Sequence, residues 1–332
     1  MTDFKTIVGK NIRLQTSDLT MSTATEGELF YSNTDKEFKV GIMVKAWASG
    51  AVMPVAQRAA GAGIQTAAFV TGGPTPGSAR VVTTHEYDGS SWSSGGDINT
   101  ARNYHSAAVQ STLTAGLIFG GKAPGFTGVT EEYDGSSWTE SGDLNTARTA
   151  WMGGVGTQTA AICAGGGPDY KNESEEYDGT SWAEGNNLNV SRQGLAAAGS
   201  QTAGLVFGGE IPNPGAQLAS DSTEEYNGTS WTAGEAMGAG RYRHGGCGTQ
   251  TAAIAFLGRI NPPASDKVEA QVYDGTDWAT TSSLSTARAQ AAGFGIQTSA
   301  VAAGGSVASA DANTTAVEEY SETVTLKTVT DS

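Results

Sequence analysis

Acidic doublets, evenly placed arginines and three histidines are the groups in this 332-residue chain whose types could do chemistry. Glu131-Glu132, Glu175-Glu176 and Glu224-Glu225 have the look of general acid and base pairs. They recur at one period, and neighbours along a strand point to opposite faces, so a repeated doublet reads as strand decoration. Arg102, Arg148, Arg192, Arg241 and Arg288 each follow a tryptophan by ten residues. A ring of them could clamp carboxylates or sulfated sugars through bidentate hydrogen bonds, or could hold its own loops by bonding carbonyls and acids such as Asp97 or Asp143. His85, His105 and His244, with Cys163 and Cys247 far apart, give no metal-ligand spacing, so neither metal nor cofactor is expected. The cysteines read as small buried hydrophobes.

The elements that would position these groups follow from a repeat. Tyr-Asp-Gly-x-x-Trp occurs at Tyr87/Trp92, Tyr133/Trp138, Tyr177/Trp182 and Tyr273/Trp278, with Tyr226-Asn227-Gly228 leading to Trp231. Successive tyrosines are 46, 44, 49 and 47 residues apart, the length of a four-stranded propeller blade. Within residues 148–182, a small-residue stretch, a Gln-Thr turn, an apolar run, a glycine break and an Asp-Gly hairpin read as strand, turn, strand, loop, strand, turn, strand. The Asp-Gly step predicts a type I′ turn. Small first strands such as Ala196-Ala197-Ala198 suit the crowded axis, and each tryptophan fills the wedge between sheets. The sixth copy reaches Tyr320 but has no outer strand, whereas Trp47 lies 45 residues before Trp92 in an orphan strand. That strand is expected to close the last blade and leave no free edge. The fold class is all-β, a six-bladed propeller over 38–332 behind a short arm at 1–37.

The double glycines (Gly72-Gly73, Gly120-Gly121, Gly165-Gly166, Gly208-Gly209, Gly304-Gly305), followed by Tyr, Trp and Arg, resemble the kelch repeat over residues 38–327. In the fifth copy Leu257-Gly258 replaces the glycine pair. The resemblance implies a kelch-like propeller and brings galactose oxidase to mind, yet no copper ligands can be placed residue by residue. No enzymatic activity is expected.

Loops joining second to third strands and those joining blades emerge on one face; the other face carries monotonous Gln-Thr and Asp-Gly turns and reads as structural. The first face varies, and on it lie the candidate binding residues Tyr104, His105, Phe126, Trp151, Tyr170, Lys171, Tyr242, Arg243 and His244, beside the five arginines. Aromatic and histidine groups there suit a sugar or a protein anchor, or buried packing.

A net charge of −15 disfavours nucleic acid and anionic membranes. Residues 1–20 lack the apolar core of a signal peptide, and no stretch is apolar enough to insert in a bilayer, which predicts a product made in the cytoplasm. Residues 27–40 read as a hairpin around Asn33-Thr34-Asp35-Lys36 and are similar to hairpins of bacteriophage tail-fibre and other virion proteins. The resemblance implies a virion structural protein, attached to other virion proteins through the arm and presenting its varied face to a host-surface glycan or protein. The alternative is a cellular kelch-type adaptor.

Overall fold

The computed structural model describes residues 29–32, 34–76, 79–149, 152–213, 218–261, 263–307 and 312–329. It divides into two compact units, Trp47–Tyr320 and Met1–Ala46 with Ser321–Ser332. In the larger unit the innermost strands Ala60–Ile64, Ser106–Ala107, Gly153–Thr157, Ala196–Ser200, Gly245–Thr249 and Ala292–Ile296 each touch the next, and the last touches the first. Each begins a sheet of antiparallel strands, so the ring is a six-bladed β-propeller.

The third blade shows how the repeat folds. Gly153–Thr157 pairs with Ala160–Gly166, which pairs with Lys171–Tyr177, which pairs with Trp182–Glu184. Tyr177 and Trp182 face each other across a four-residue loop, so the expected two-residue type I′ turn is corrected. Only Gly179 takes positive φ (94°); Asp178 instead closes the loop with its side chain, Oδ1 accepting from the Thr180 and Ser181 N–H groups, each at 2.8 Å.

Small residues at the axis are a steric demand. A Cβ on Gly154 would stand 2.1 Å from the Ala107 carbonyl oxygen of the preceding blade, and one on Gly246 would meet the Phe207 ring at 2.6 Å. The second blade departs from the pattern: Val109 and Gln110 leave their own sheet and donate to Gly154 O (3.3 Å) and Gly156 O (2.8 Å) of the third.

The blades are stapled by the repeated polar residues. Tyr133 Oη donates to Glu86 of the preceding blade, Tyr177 to Glu132 and Tyr273 to Glu225, each at 2.5 Å; Tyr226 bonds Glu176 and Tyr87 bonds Glu319 in the same way. Where Val272 replaces the glutamate, Tyr320 pairs with the Thr281 hydroxyl at 2.7 Å. Gln158, Gln201, Gln250 and Gln297 donate to two carbonyls of the blade before, and Trp138, Trp182 and Trp278 donate to Thr84, Thr130 and Thr223. The second glutamate of each doublet is therefore a fastener between blades, where the period implies only strand decoration.

Burial first, and the carboxylate acceptor second, push these phenols upward, Tyr133 to about 12 and Tyr87, Tyr177, Tyr226 and Tyr273 in the same direction. Each folded-state value exceeds the unfolded value of about 10. Their contribution is thus whole below pH 10 and is lost as pH rises through the raised values. Following phenolate absorbance in the folded protein should show these five of the ten tyrosines silent near pH 10. Ionisation of all ten near pH 10 without unfolding would contradict the stapling.

The sixth blade orders Ala292–Ile296, Ser299–Ala303, Val317–Thr328 and Glu37–Ser49, so its outer strand is borrowed from near the start of the chain. Gly50 N–H donates to Val317 O at 2.9 Å, and Trp47 packs edge-on to Phe256 (5.1 Å) and against Tyr320 (5.3 Å). In the smaller unit Leu29–Ser32 pairs with residues 37–40 as a hairpin, Lys45 meets Glu322 at 3.2 Å and Val329 N–H donates to Phe38 O. The boundary therefore differs from the one expected at residue 37. It falls at 46/47, because the C-terminal residues pair with the arm instead of the ring.

Candidate functional site

The arginine ring is structural, which corrects the ligand-clamp reading of Arg102, Arg148, Arg192, Arg241 and Arg288. Arg102, Arg148, Arg192 and Arg288 are fully buried. Arg102 binds Glu131 at 2.8 Å, Arg192 binds Glu224 at 2.6 Å, Arg288 binds Glu318 at 2.7 Å, and Arg148 binds Glu175 likewise. Each also donates to carbonyls of the same blade, such as Val129 O (2.6 Å) or Ser222 O (2.8 Å). Arg241 donates to carbonyls, Glu269 O (2.7 Å) and Leu257 O (3.2 Å), because Gln271 stands where the second, third, fourth and sixth blades have glutamate. In the first blade Gln57 takes the arginine position, accepting from Gly305 N–H at 3.0 Å as Arg148 accepts from Gly121, and His85 takes the glutamate position.

Two residues beyond the arginine position the chain turns left-handed, at Tyr104 (φ 56°), Gly194 (φ 70°), Arg243 (φ 53°) and Gln290 (φ 59°). For a non-glycine residue this conformation costs about 1–2 kcal/mol, and such strain gathers where a side chain must be aimed. Gln290 N–H donates to Arg243 O (2.8 Å) and Arg243 N–H donates to Gly194 O (2.6 Å), linking successive blades into a collar. The half-buried side chains of Tyr104, Arg243 and Gln290 line a cavity of about 140 Å³ where the inner strands begin. Arg58 joins them and donates from Nη1 to Gln290 Oε1 at 3.0 Å. The Arg243 guanidinium lies 5.3 Å from the centroid of the Tyr242 ring. Among the described residues no aspartate or glutamate lines this mouth. Sequence reasoning missed Gln290, whereas Arg58 is legible as the offset arginine of the first blade, one residue beyond Gln57, which stands ten after Trp47.

Of the other candidates, His105 and His244 border the same cavity but are buried, and the rest lie away from it. His105 and His244 are 6% exposed, and a Cβ on Gly72 or Gly208 would lie 2.7 or 2.5 Å from their Cε1 atoms; they fill the gaps beside the double glycines of the preceding blade. Tyr242, 3% exposed, is buried support for Arg243. These three are corrections to the expectation of accessible groups. Phe126 is exposed on its loop with Lys122 Nζ 5.9 Å from its ring, Tyr170 sits in the tight loop after Gly167, and Lys171 opens the strand that follows, 3.8 Å from Glu173. None of the last three lines the mouth. Trp151 lies outside the described residues.

Burial holds the His105 imidazole down to about 3 and His244 well below its usual range. Both folded-state values lie under the unfolded 6.5, so the folded form binds fewer protons and stability falls as pH drops from 6.5 toward 3. The slope should approach about 1.4 kcal/mol per pH unit per histidine. Urea midpoints between pH 7 and 4.5 should show it, and a His105→Leu/His244→Leu double variant should flatten it. An unchanged slope in that variant would refute the assignment.

At the other ends of the same strands, a bowl of about 600 Å³ is lined by Ile64, Val109, Leu113, Thr157, Thr249 and Ile296. The Gln-Thr face, expected to be structural throughout, thus carries an axial depression of its own. Ile64 and Ile296 are half exposed where the other rim positions are Thr or Ser.

No protein-family model matches the chain, and no curated protein matches it. Among solved structures, that of YjhT superposes with a TM-score of 0.64 at 14% identity, covering 84% of this chain and 99% of that one. Likeness at this identity carries the fold alone. The chain is a six-bladed β-propeller, a scaffold that serves binding and catalysis alike.

Proposed function

We propose that the protein is a non-enzymatic recognition module of a bacteriophage particle. It is held to other virion proteins by its N-terminal arm and presents the axial mouth to a host-surface glycan. One observation carries the reading: amid repeats whose arginine, tyrosine, glutamate and tryptophan are spent on the ring, the collar position differs from blade to blade. Tyr104, Gly194, Arg243 and Gln290 occupy it, and all four line one cavity. An aromatic ring, an amide and guanidinium groups are the donors and stacking surface a saccharide needs. The hairpin at 29–40, similar to hairpins of virion proteins, supports attachment through the arm.

Glycine adopts left-handed backbone without penalty, so Tyr104→Gly removes the ring and keeps the collar. On glycans presented from the host surface this variant should bind about tenfold or more weakly, as truncating an anchor does. Full binding by Tyr104→Gly would overturn the mouth as the site. The adaptor reading keeps one foothold in exposed Phe126 under Lys122. Binding of a protein partner lost in Phe126→Ala and kept in Tyr104→Gly would favour it.

A further inference from the structure

We infer that the axial bowl at the far ends of the inner strands is a second binding site, which takes an uncharged amphiphile with an aliphatic or alicyclic body and a hydroxyl group. It stands apart from the mouth and from the glycan reading. In the first, third, fifth and sixth blades the inner strand ends in Gly-x-Gln-Thr, where x is Ile64, Thr157, Thr249 and Ile296. The glycine takes positive φ in all four, 121° at Gly63, 90° at Gly156, 115° at Gly248 and 111° at Gly295. Residue x pairs in one register throughout, Ile64 with Ala67, Thr157 with Ala160, Thr249 with Ala252 and Ile296 with Ser299. The turn therefore closes on threonine as well as on isoleucine. Yet Ile64 and Ile296, on adjoining blades, stand 53% and 50% exposed where they line the bowl. The fold does not ask for these two side chains; a ligand would.

The second blade continues the apolar side. After its short inner strand, Val109 and Gln110 cross to the third blade, and Thr112 then bridges Ala115, which sets Leu113 in the wall. Leu113 packs below on the cluster that holds Phe69 and Ile118. Ile296, Ile64, Val109 and Leu113 thus form one aliphatic arc over three consecutive blades, and Thr157 and Thr249 bring hydroxyls to the rest of the lining. Such a wall suits a molecule with one apolar and one hydroxylated side. Among the described residues no Asp, Glu, Lys, Arg or His lines the bowl, so nothing there neutralises a charge. The net charge of −15 also repels anions from its opening, which selects against a fatty carboxylate. A volume of about 600 Å³ falls among those of small-molecule sites.

The test titrates the full chain with Nile red, an uncharged dye that fluoresces in apolar surroundings, and competes it with n-decanol, decahydronaphthol and decanoate. Ile64→Thr with Ile296→Thr gives two blades the turn that the third and fifth already carry, and thermal melting shows that the variant folds. Phe38→Ser removes an exposed aromatic outside the bowl, as a control for adsorption. Wild type should bind the dye, and the two alcohols should displace it where decanoate at the same concentration does not. The alcohol that competes better tells an aliphatic from an alicyclic body. The double isoleucine variant should bind at least about tenfold more weakly, with Phe38→Ser unchanged. Full dye binding in the double variant, loss of it in Phe38→Ser, or displacement by decanoate as readily as by decanol would overturn the inference. So would a wild type that binds no dye but self-associates on size exclusion and becomes monomeric in the double variant, since the bowl would then be a contact between copies. None of these results bears on glycan binding, which Tyr104→Gly tests at the opposite ends of the strands.

Discussion

A chain lacking residues 1–49 should fail to give a soluble monomer. The deletion strips the outer strand from the sixth blade and exposes the polar edge of residues 317–320, an unpaired template for association between chains. It also empties the wedge that Trp47 fills between Phe256 and Tyr320. The single substitution Trp47→Ala isolates the second effect. It should cost about 3 kcal/mol, at the low end for a large aromatic because the ring is only partly buried. Size-exclusion chromatography and urea unfolding separate the two. A monodisperse deletion product with an unshifted midpoint would show that the ring closes some other way.

The second large effect is expected inside the third blade. Arg148 and Glu175 are both wholly buried and bound to each other, so Glu175→Leu strands a guanidinium in a dry interior and should cost about 3–5 kcal/mol. Replacing both partners behaves differently, since removing a whole buried pair is often close to neutral. The protein holds the experiment within itself, because the first blade carries Gln57 and His85 at the same two positions. Arg148→Gln with Glu175→His should therefore recover much of the stability lost in the single variant. A double variant as unstable as the sum of the singles would mean that the blades are not interchangeable at this site.

The architecture was legible because each blade repeats residues whose reasons are local: glycine where inner strands touch, tyrosine and glutamate where blades meet, tryptophan in the wedge. Closure was legible too, as an orphan tryptophan at the right distance. The site was less so. Whether an arginine faces a ligand or a buried glutamate depends on how the loop entering a blade packs on that blade's third strand, which Arg102 and Glu131 do not reveal by spacing. His105 and His244 break the repeat as ligand groups would, yet they fill holes left by Gly72 and Gly208, a contact between blades invisible along the chain. Arg243 was expected at the site, but its neighbour across the seam, Gln290, gave no sign of itself. Its left-handed backbone comes from the collar's hydrogen bonds, and glutamine has no local preference for it. The axial bowl beneath arises from a two-residue excursion at Val109 and Gln110, whose effect appears only when six inner strands converge.

Arg58 and Gln290 stand 232 residues apart and meet because the ring closes, so the mouth exists only if residues 47–50 complete the sixth blade. Amide hydrogen exchange over residues 44–53 tests this most directly. The account predicts that the Gly50 amide, bonded to Val317 O, exchanges as slowly as those of Ser299–Ala303, at the rate of opening the whole ring. Exchange within seconds at residues 47–50, with the rest of the sixth blade still protected, would contradict it.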